Sequence, residues 1–283
     1  MAKLILGCGY LGRRVASRWR ERGERVFAVT HLADRAEELA AGGFDPLVAD
    51  VTRPDTLSRL PTAETVLYAV GYDRAGAASR REVLVDGLRA VLDALPGDTG
   101  RFIYISSTGV YGEAAGAWVD ENTPCRPERE SGRVILAAEE VLRAHPLGSR
   151  AIVLRLAGLY GPGRIPRMDD LLAGRPIAVH ADAVVNLIHV DDAVAVVLAA
   201  EAQARPPATY VVSDGHPAPR REFYRYLAEL LNLPPPTFVD MAPRRSQSPR
   251  GAGSKRVRNA RVLQELKVQL AFPSYREGLA AIV

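Results

Sequence analysis

Three glycines near the N-terminus, in Gly7-Cys8-Gly9-Tyr10-Leu11-Gly12, have the spacing of a loop that holds a pyrophosphate. The loop follows a strand-like apolar run, Leu4–Leu6, and leads into a helical pattern. The first glycine permits a tight turn, the second lets the backbone approach a phosphate, and the third allows the helix to pack on the strand. Amide groups at the helix start favour the anion. We predict dinucleotide binding by Gly7, Gly9, Tyr10, Leu11 and Gly12; the alternative is a turn shaped only for packing.

The choice of cofactor is expected at the end of the second strand, where an NAD site offers a carboxylate to the ribose hydroxyls. The sequence there is Val29-Thr30-His31, without a carboxylate, and Arg35 follows within reach of a 2′-phosphate. We therefore predict NADP, with contacts from Thr30 and Arg35. Asp34 leaves NAD as an alternative, and Arg35 could instead be an ordinary charge on a helix surface.

Two further segments are expected to line the cofactor. Asp50-Val51 follows the third strand and fits an adenine contact, although Asp50 could instead cap a helix. Ala69-Val70-Gly71 follows the fourth strand and would line the middle of the cofactor.

Strand-like runs alternate with helical patterns over the first half of the chain, which is typical of βαβ units. The pattern predicts an α/β fold, a doubly wound parallel sheet of the Rossmann type with a smaller C-terminal substrate lobe. Strands are predicted at 4–6, 25–29, 46–49, 65–69, 102–105 and 151–156, and helices at 13–22, 33–41, 80–95, 133–144, 190–204, 219–232 and 274–282. We expect residues 1–156 to bind the nucleotide, 185–205 to return to that domain, and 157–283 to form mainly the substrate lobe.

Composition limits the kinds of protein this can be. The chain has 283 residues and 47% hydrophobic content, enough for a large core, but its longest apolar run, Ala193 to Ala200, is too short to span a membrane. Met1 leads directly into a strand-like run without a signal pattern, so a cytoplasmic location is expected. Cys8 and Cys125 have no metal-ligand spacing, and no metal site is predicted.

The net charge of +4 arises from arginine, because the chain has only three lysines. One basic stretch spans residues 244–261 and is interleaved with Ser, Gly and Pro rather than aromatic residues. A solvated loop or a clamp for an anionic substrate both fit this stretch. Without a stacking platform, nucleic-acid binding is not expected.

Several motifs together resemble the extended short-chain dehydrogenase/reductases, also called the NAD(P)-dependent epimerase/dehydratase family. Beyond the glycine loop, the matching segments are Phe102–Gly112, with the sequence FIYISSTGVYG, and Asp120–Pro124, with DENTP. Downstream matches are Arg155–Gly163, with RLAGLYGPG, and Ile188–Ala193, with IHVDDA. The resemblance covers nearly the whole chain. It implies a small-molecule substrate and, through helices such as 80–95 and 133–144, a homodimer.

The resemblance also implies a tyrosine general acid/base, a lysine four residues later that lowers its pKa, and a serine that orients the substrate. Ser107 occupies the serine position, but the tyrosine and lysine positions read Ser131 and Ile135. None of the ten tyrosines is followed by lysine at this spacing. A phenol with a pKa near ~10 is a poor base at neutral pH without a cation beside it. The usual dyad is therefore absent.

Two interpretations follow. The protein could be an atypical enzyme that acts on a small carbonyl, hydroxyl or sugar-like compound, with Ser107 and Tyr111 as its catalytic residues and an arginine as the cation. Tyr160, with Arg164 four residues later, is a weaker alternative, and any of these tyrosines could simply pack in the core. The other interpretation is a sensor or interaction protein that binds NAD(P) without turnover. His189 and Asp191-Asp192 are expected to cap a helix and fix the interface between the lobes.

Overall fold

The computed structural model describes residues 2–112, 114–239 and 255–283. Its strands, in chain order, are β1 (Ala2–Leu6), β2 (Arg25–Thr30), β3 (Asp45–Val48), β4 (Thr65–Tyr68), β5 (Arg101–Ser107), β6 (Trp118–Val119), β7 (Ala151–Leu156), β8 (Gly158–Tyr160), β9 (Ile177–Ala178), β10 (Val184–Val185), β11 (Leu187–His189), β12 (Ala208–Val212), β13 (Ala218–Pro219), β14 (Phe238–Val239) and β15 (Arg256–Val257). Seven of them form one parallel sheet in the order β12-β7-β5-β4-β1-β2-β3. The predicted doubly wound α/β fold is confirmed.

Helices cover both faces of this sheet. They are α1 (Gly12–Glu21), α2 (Ala33–Ala41), α3 (Gly87–Ala94), α4 (Glu130–Ala144), α5 (Met168–Leu172), α6 (Val190–Gln203), α7 (Arg220–Leu230), α8 (Ala260–Leu266) and α9 (Tyr275–Ala280). Short 3-10 segments lie at Pro54–Arg59, Thr108–Val110 and Pro146–Arg150, and a π-helical turn at Glu82–Asp86 precedes α3. Because a parallel sheet needs cover on both faces, its inner strands β1, β4 and β7 are almost wholly buried.

The sequence pattern located most elements, with some differences. The helix predicted at 80–95 contains the π-helical turn, and α4 begins three residues earlier than predicted. The edge strand β12 was not predicted at all. It pairs with β7 from Ala208 opposite Ile152 to Val212 opposite Leu156, so the sheet is completed by a segment that follows the small lobe.

A separate hydrophobic cluster marks the smaller lobe. Its buried members include Tyr160, Leu171, Ile177, Phe223, Leu227 and Leu279. The chain returns from this lobe through β11, which pairs with β8, and then through α6. Helix α6 is apolar on nearly all sides, and Val196, Val197 and Ala200 are buried in the same core as α1.

Candidate functional site

The glycine loop joins β1 to α1 at the carboxyl edge of the sheet. Gly7 has a φ of +88°, and a Cβ there would lie 2.4 Å from the backbone of Ala69. A Cβ on Gly12 would lie 2.4 Å from the carbonyl oxygen of Gly7, so this glycine lets α1 pack against the loop. Gly9 differs, because its Cβ would meet no atom within 4 Å. Space is therefore open at Gly9, where a ligand can approach the backbone.

A cavity of about 500 Å³ opens beside this loop, a size typical of ligand pockets. Nine of the twelve predicted cofactor residues line it: Gly7, Gly9, Thr30, Arg35, Asp50, Val51, Ala69, Val70 and Gly71. The cavity lies at the carboxyl ends of β1, β2, β3 and β4. The order of the strands reverses between β1 and β4, so the cavity spans this switch point. Open α/β sheets bind ligands at this kind of crevice.

The other three predicted residues lie beside the cavity. Leu11 is buried in the core under α1, and Gly12 packs against Gly7. Tyr10 turns away toward the small lobe, where its hydroxyl donates to the carbonyl of Pro162 at 3.1 Å. Its ring lies under the guanidinium groups of Arg14 and Arg164. Tyr10 therefore connects the glycine loop to the segment that enters the small lobe.

Arg35 lies at the mouth of the cavity. Its Nη2 donates to the carbonyl of Cys8 at 3.1 Å, so the guanidinium contacts the glycine loop although the residue is exposed. His31 and Thr30 line the same part of the cavity, whereas Asp34 does not. The residues that directly follow β2 thus bring a cation and no carboxylate to this part of the cavity, and the nearby Asp50 comes from the end of β3.

Asp50 lines the same cavity, just beyond the end of β3 and next to the end of β2. Its carboxylate accepts hydrogen bonds from the backbone and the hydroxyl of Thr52, both at 2.8 Å, and forms a local turn rather than a helix cap. Burial alone would raise the pKa of this carboxyl, but the Thr52 hydrogen bonds outweigh burial and hold its pKa below the ordinary value. Asp50 is thus ionised at neutral pH.

Ser107 ends β5, next to β4 at the same edge of the sheet. Its Oγ accepts a hydrogen bond from the amide of Gly109 at 3.1 Å. Among the described residues, nothing accepts the hydrogen of the Ser107 hydroxyl. Helix α4 begins beside it, because Gly132 packs so closely on Gly109 that a Cβ would lie 2.4 Å from the Gly109 carbonyl oxygen. Ser131, at the position of the missing tyrosine, lies in this first turn.

Tyr111, which we predict to face the substrate, lies in a buried hydrophobic cluster. It is 2% exposed, and its hydroxyl lies 2.7 Å from Nη1 of Arg155. Burial raises the pKa of Tyr111 to about 12, although the arginine acts in the opposite direction. Arg155 is itself paired with Glu139, whose carboxylate accepts two of its hydrogen bonds, at 2.9 and 2.7 Å. This geometry favours the packing alternative for Tyr111.

Tyr160 is fully buried, and among the described residues its hydroxyl has no hydrogen-bond partner. Arg164 does not approach it, because Gly161 and Arg164 form a tight turn and Arg164 stacks on Tyr10. Burial raises the pKa of Tyr160. The arrangement Tyr160-x-x-x-Arg164 is therefore not a proton-transfer pair.

His189 and Asp192 occupy structural positions, as predicted. Nδ1 of His189 accepts from the amide of Asp191 and caps α6. The Asp192 carboxylate accepts from the amides of Ala271 and Phe272, at 2.7 and 3.0 Å. These bonds fasten the C-terminal segment to the start of α6.

The basic stretch is only partly described. Arg244, Arg245 and Arg250 lie outside the described residues. Lys255 donates to the carbonyl of Tyr111 at 3.1 Å, and Arg261 pairs with Glu265 at 2.9 Å. In the described ranges no cluster of side chains could hold a metal ion, and none of the described helices is long and apolar enough to cross a membrane.

Sequence reasoning missed the ion pair between Glu139 and Arg155. Both residues are buried, and Ser106 also donates to Glu139 at 2.6 Å, so the pair fixes β5, β7 and α4 behind the site. The sequence does contain a signal for this pair, because Arg155 lies within the apolar run Ala151–Leu156 and Glu139 ends the apolar run that starts at Leu136. Charges in such runs are expected to be buried and therefore to need partners.

Asp214, just beyond β12, is a second buried acid that the sequence did not single out. It is 4% exposed; one oxygen accepts from the amide of His216, and the other has no partner among the described residues. Burial raises its pKa to about 7. Because the raised pKa favours the protonated form in the folded state, this carboxyl stabilises the protein in acid and loses that contribution as pH rises toward 7.

Asp214→Asn should therefore remove part of the pH dependence of stability. In urea unfolding, the wild-type free energy of unfolding should fall by a few kcal/mol more than that of the variant between pH 4 and pH 8, at ~1.4 kcal/mol per pKa unit. Asp55→Asn, at an exposed carboxyl, is the control and should behave as wild type. If the free energy of unfolding changed with pH in the same way for wild type and Asp214→Asn, the pKa of Asp214 would not be raised in the folded protein.

The profile of the NAD dependent epimerase/dehydratase family matches residues 4–213. The chain belongs to this family. The match includes the glycine loop, the strand that ends at Ser107, and the Ile188–Ala193 segment that returns to the core around α1. Membership in this NAD-dependent family makes the chain an oxidoreductase- or epimerase-type protein with a nicotinamide dinucleotide as its cofactor class.

Similar proteins cover nearly the full chain. Protein YeeZ of Escherichia coli strain K12 is 33% identical over 278 residues, which is 95% of each chain. A solved structure of a functionally unknown conserved protein from Silicibacter pomeroyi DSS is 33% identical, with a TM-score of 0.79, and covers 99% of this chain and 97% of that one. A 3-diazoavenalumate denitrifying reductase of Streptomyces sp is 27% identical over 309 residues, 99% of each chain.

Proposed function

We propose that this member of the family is an NADP-dependent oxidoreductase that transfers hydride between the nicotinamide and a small carbonyl, hydroxyl or sugar-like compound. The observation that carries the proposal is the cavity beside Gly9, which ends on the same sheet edge as Ser107. A cofactor in the cavity would reach from Arg35 and Asp50 at one end to the end of β5 at the other. The full-length relative named as a reductase supports this reaction type.

The residues around the cavity fit the cofactor. Gly9 leaves the backbone accessible to the pyrophosphate, and Ala69-Val70-Gly71 would line its middle. When bound, the nicotinamide supplies or accepts the hydride. Ser107 would orient the substrate oxygen, because its hydroxyl is positioned by the Gly109 amide while its own hydrogen remains available. In this proposal Tyr111 has a structural role, through the hydrogen bond that its hydroxyl accepts from Arg155.

The function is tested by titrating NADP, NADPH, NAD and NADH by calorimetry and then following NADPH fluorescence with a panel of carbonyl compounds. We expect NADPH to bind and to be consumed with at least one compound. On that compound, Ser107→Ala should lower kcat, whereas Tyr111→Phe should mainly lower stability, by about 1 kcal/mol. Loss of activity in Tyr111→Phe with unchanged stability would instead support a catalytic role for Tyr111.

Arg35→Glu should reverse the cofactor preference. Replacing the cation removes a charge-assisted contact to the 2′-phosphate and adds repulsion, so NADP affinity should fall by about 10- to 100-fold while NAD affinity changes little. Arg22→Glu, an exposed residue after α1, is the matched control. Equal losses for NADP and NAD would contradict a phosphate contact at Arg35.

The absence of the tyrosine and lysine dyad favours a second candidate function, a sensor that binds NAD(P) without turnover. The buried hydroxyls of Tyr111 and Tyr160 support it, because neither can exchange protons readily with a substrate. Tight cofactor binding with no NADPH consumption across the panel is its expected result. The homodimer implied by the resemblance stays a prediction that sedimentation can test.

A further inference from the structure

Lys255 contacts the turn that follows Ser107 from a distant part of the chain. Its half-buried side chain donates to the carbonyl of Tyr111 at 3.1 Å, across 144 residues of sequence. The other two lysines lie elsewhere, because Lys3 pairs with glutamates at the start of β1 and Lys267 is exposed after α8. Of the three lysines, Lys255 is therefore the one placed at the segment that carries Ser107.

The turn after Ser107 is short and has few hydrogen bonds of its own. Ser107 begins it, because its Oγ accepts from the amide of Gly109 at 3.1 Å. Tyr111 ends it, and its amide donates to the carbonyl of Thr108 at 3.2 Å. Carbonyls at the end of a helical turn need donors from outside it. Lys255 is such a donor, and its positive charge strengthens the hydrogen bond.

Asn186 fixes the backbone on both sides of this contact. Its side-chain amide donates to the carbonyl of Lys255 at 2.9 Å, and its side-chain oxygen accepts from the amide of Val257 at 2.8 Å. Asn186 lies between β10 and β11, and its own carbonyl accepts from the amide of Gly158 at 2.9 Å. The segments around Gly158 and Asn186 lead into and out of the small lobe. A continuous series of contacts thus joins both connections to the turn after Ser107.

Apolar packing holds the same C-terminal segment beside the turn. Val257 is fully buried in one hydrophobic cluster with Val110 and Tyr111. Strand β15, which starts directly after Lys255, pairs with β6. Because the neighbouring backbone is fixed in this way, ordering the lysine side chain is the main entropy cost of its contact with Tyr111.

We propose that Lys255 is a positioning residue for Ser107, on which it acts through the carbonyl of Tyr111 and the turn between them. This inference rests on the proposed function, in which Ser107 orients the substrate oxygen. Without the lysine, the end of the turn loses its charged donor, and the amide of Gly109 no longer holds the Ser107 hydroxyl in one direction. Asn186 belongs to the same arrangement, because it fixes the backbone from which Lys255 extends.

The test compares wild type with Lys255→Met, which keeps an apolar stem and removes the donor. Hydrogen exchange of the Tyr111 amide, followed by NMR, reports whether the turn stays closed. We expect this exchange to become about tenfold faster, which corresponds to the loss of one charged hydrogen bond. On a compound that oxidises NADPH, kcat should fall by about tenfold while the KM for NADPH stays unchanged, because Lys255 does not line the cofactor cavity.

Three further variants make the test specific. Lys267→Met, at an exposed lysine, should match wild type in both measurements. Lys255→Arg keeps a charged donor and should restore most of the protection and most of kcat. Asn186→Ala should change the same two quantities, and its combination with Lys255→Met should lose less than the sum of the two, because both changes release one contact.

Unchanged Tyr111 exchange or unchanged kcat in Lys255→Met would overturn the inference. Faster exchange throughout β5 as well as in the turn would also overturn it, since this would show a general loss of stability rather than a local effect. If wild type consumes no NADPH with any compound of the panel, the proposed function fails. The exchange of the Tyr111 amide then still decides whether Lys255 fixes the turn that carries Ser107.

Discussion

Gly9→Glu should abolish dinucleotide binding while leaving the protein folded. The Cβ at this position meets no atom within 4 Å, so the side chain has room to extend into the cavity. There it would fill the approach to the pyrophosphate and place a carboxylate beside it. We expect at least a 100-fold loss of affinity for NADPH by calorimetry, because both the amide contacts and the favourable field of the helix start would be lost.

The control for this variant is Gly97→Glu. Gly97 is exposed and its Cβ would also meet no atom, but it lies far from the cavity in a loop before β5. Both variants should unfold at wild-type urea concentrations. Wild-type NADPH affinity in Gly9→Glu would contradict the assignment of the glycine loop.

The largest expected change in stability comes from Arg155→Met. Glu139 is fully buried, and without Arg155 its carboxylate would retain, in the described part of the chain, only Ser106 and the half-exposed Arg143. Leaving one member of a buried ion pair unmatched costs about 3–5 kcal/mol. Urea unfolding should show a loss of this size.

Two variants make the test specific. Arg143→Met removes the outer, half-exposed partner of Glu139 and should cost about 1 kcal/mol or less. The double variant Glu139→Met with Arg155→Met should recover much of the loss, because no buried charge remains unpaired. Equal losses for Arg143→Met and Arg155→Met would contradict the view that the inner pair is the stabilising one.

The shape of the glycine loop could be predicted from sequence, because each glycine is required by contacts within the short strand–loop–helix unit. A Cβ at Gly7 or Gly12 would meet backbone atoms, whereas Gly9 leaves open space, and the spacing of the three glycines in the sequence indicates these three roles. Strand Ala151–Leu156 and helix Ala33–Ala41 were likewise predicted with their observed bounds, since their patterns are local. The strand at Ala208–Val212 was missed because it pairs with β7, more than fifty residues earlier, and a local sequence pattern does not reveal such a distant partner.

The direction of Tyr111 could not be predicted for a related reason. A tyrosine that ends an active-site strand can turn to the substrate or to the core, and the choice depends on what the core offers. Here Arg155 offers a hydrogen bond, and Glu139 from another helix makes that arginine tolerable inside the protein. The outcome thus depends on three residues that only the folded chain brings together.

The position of β12 at the edge of the central sheet has a consequence for synthesis on the ribosome. The chain leaves the central sheet for the small lobe after β7, and α6 and β12 complete the sheet and its helical cover later in the sequence. Until those segments emerge, β7 has an unpaired edge and the core around α1 lacks its cover. We therefore expect the central sheet to be completed only after residues 208–212 have been synthesised, and the open edge of β7 to be prone to aggregation until then.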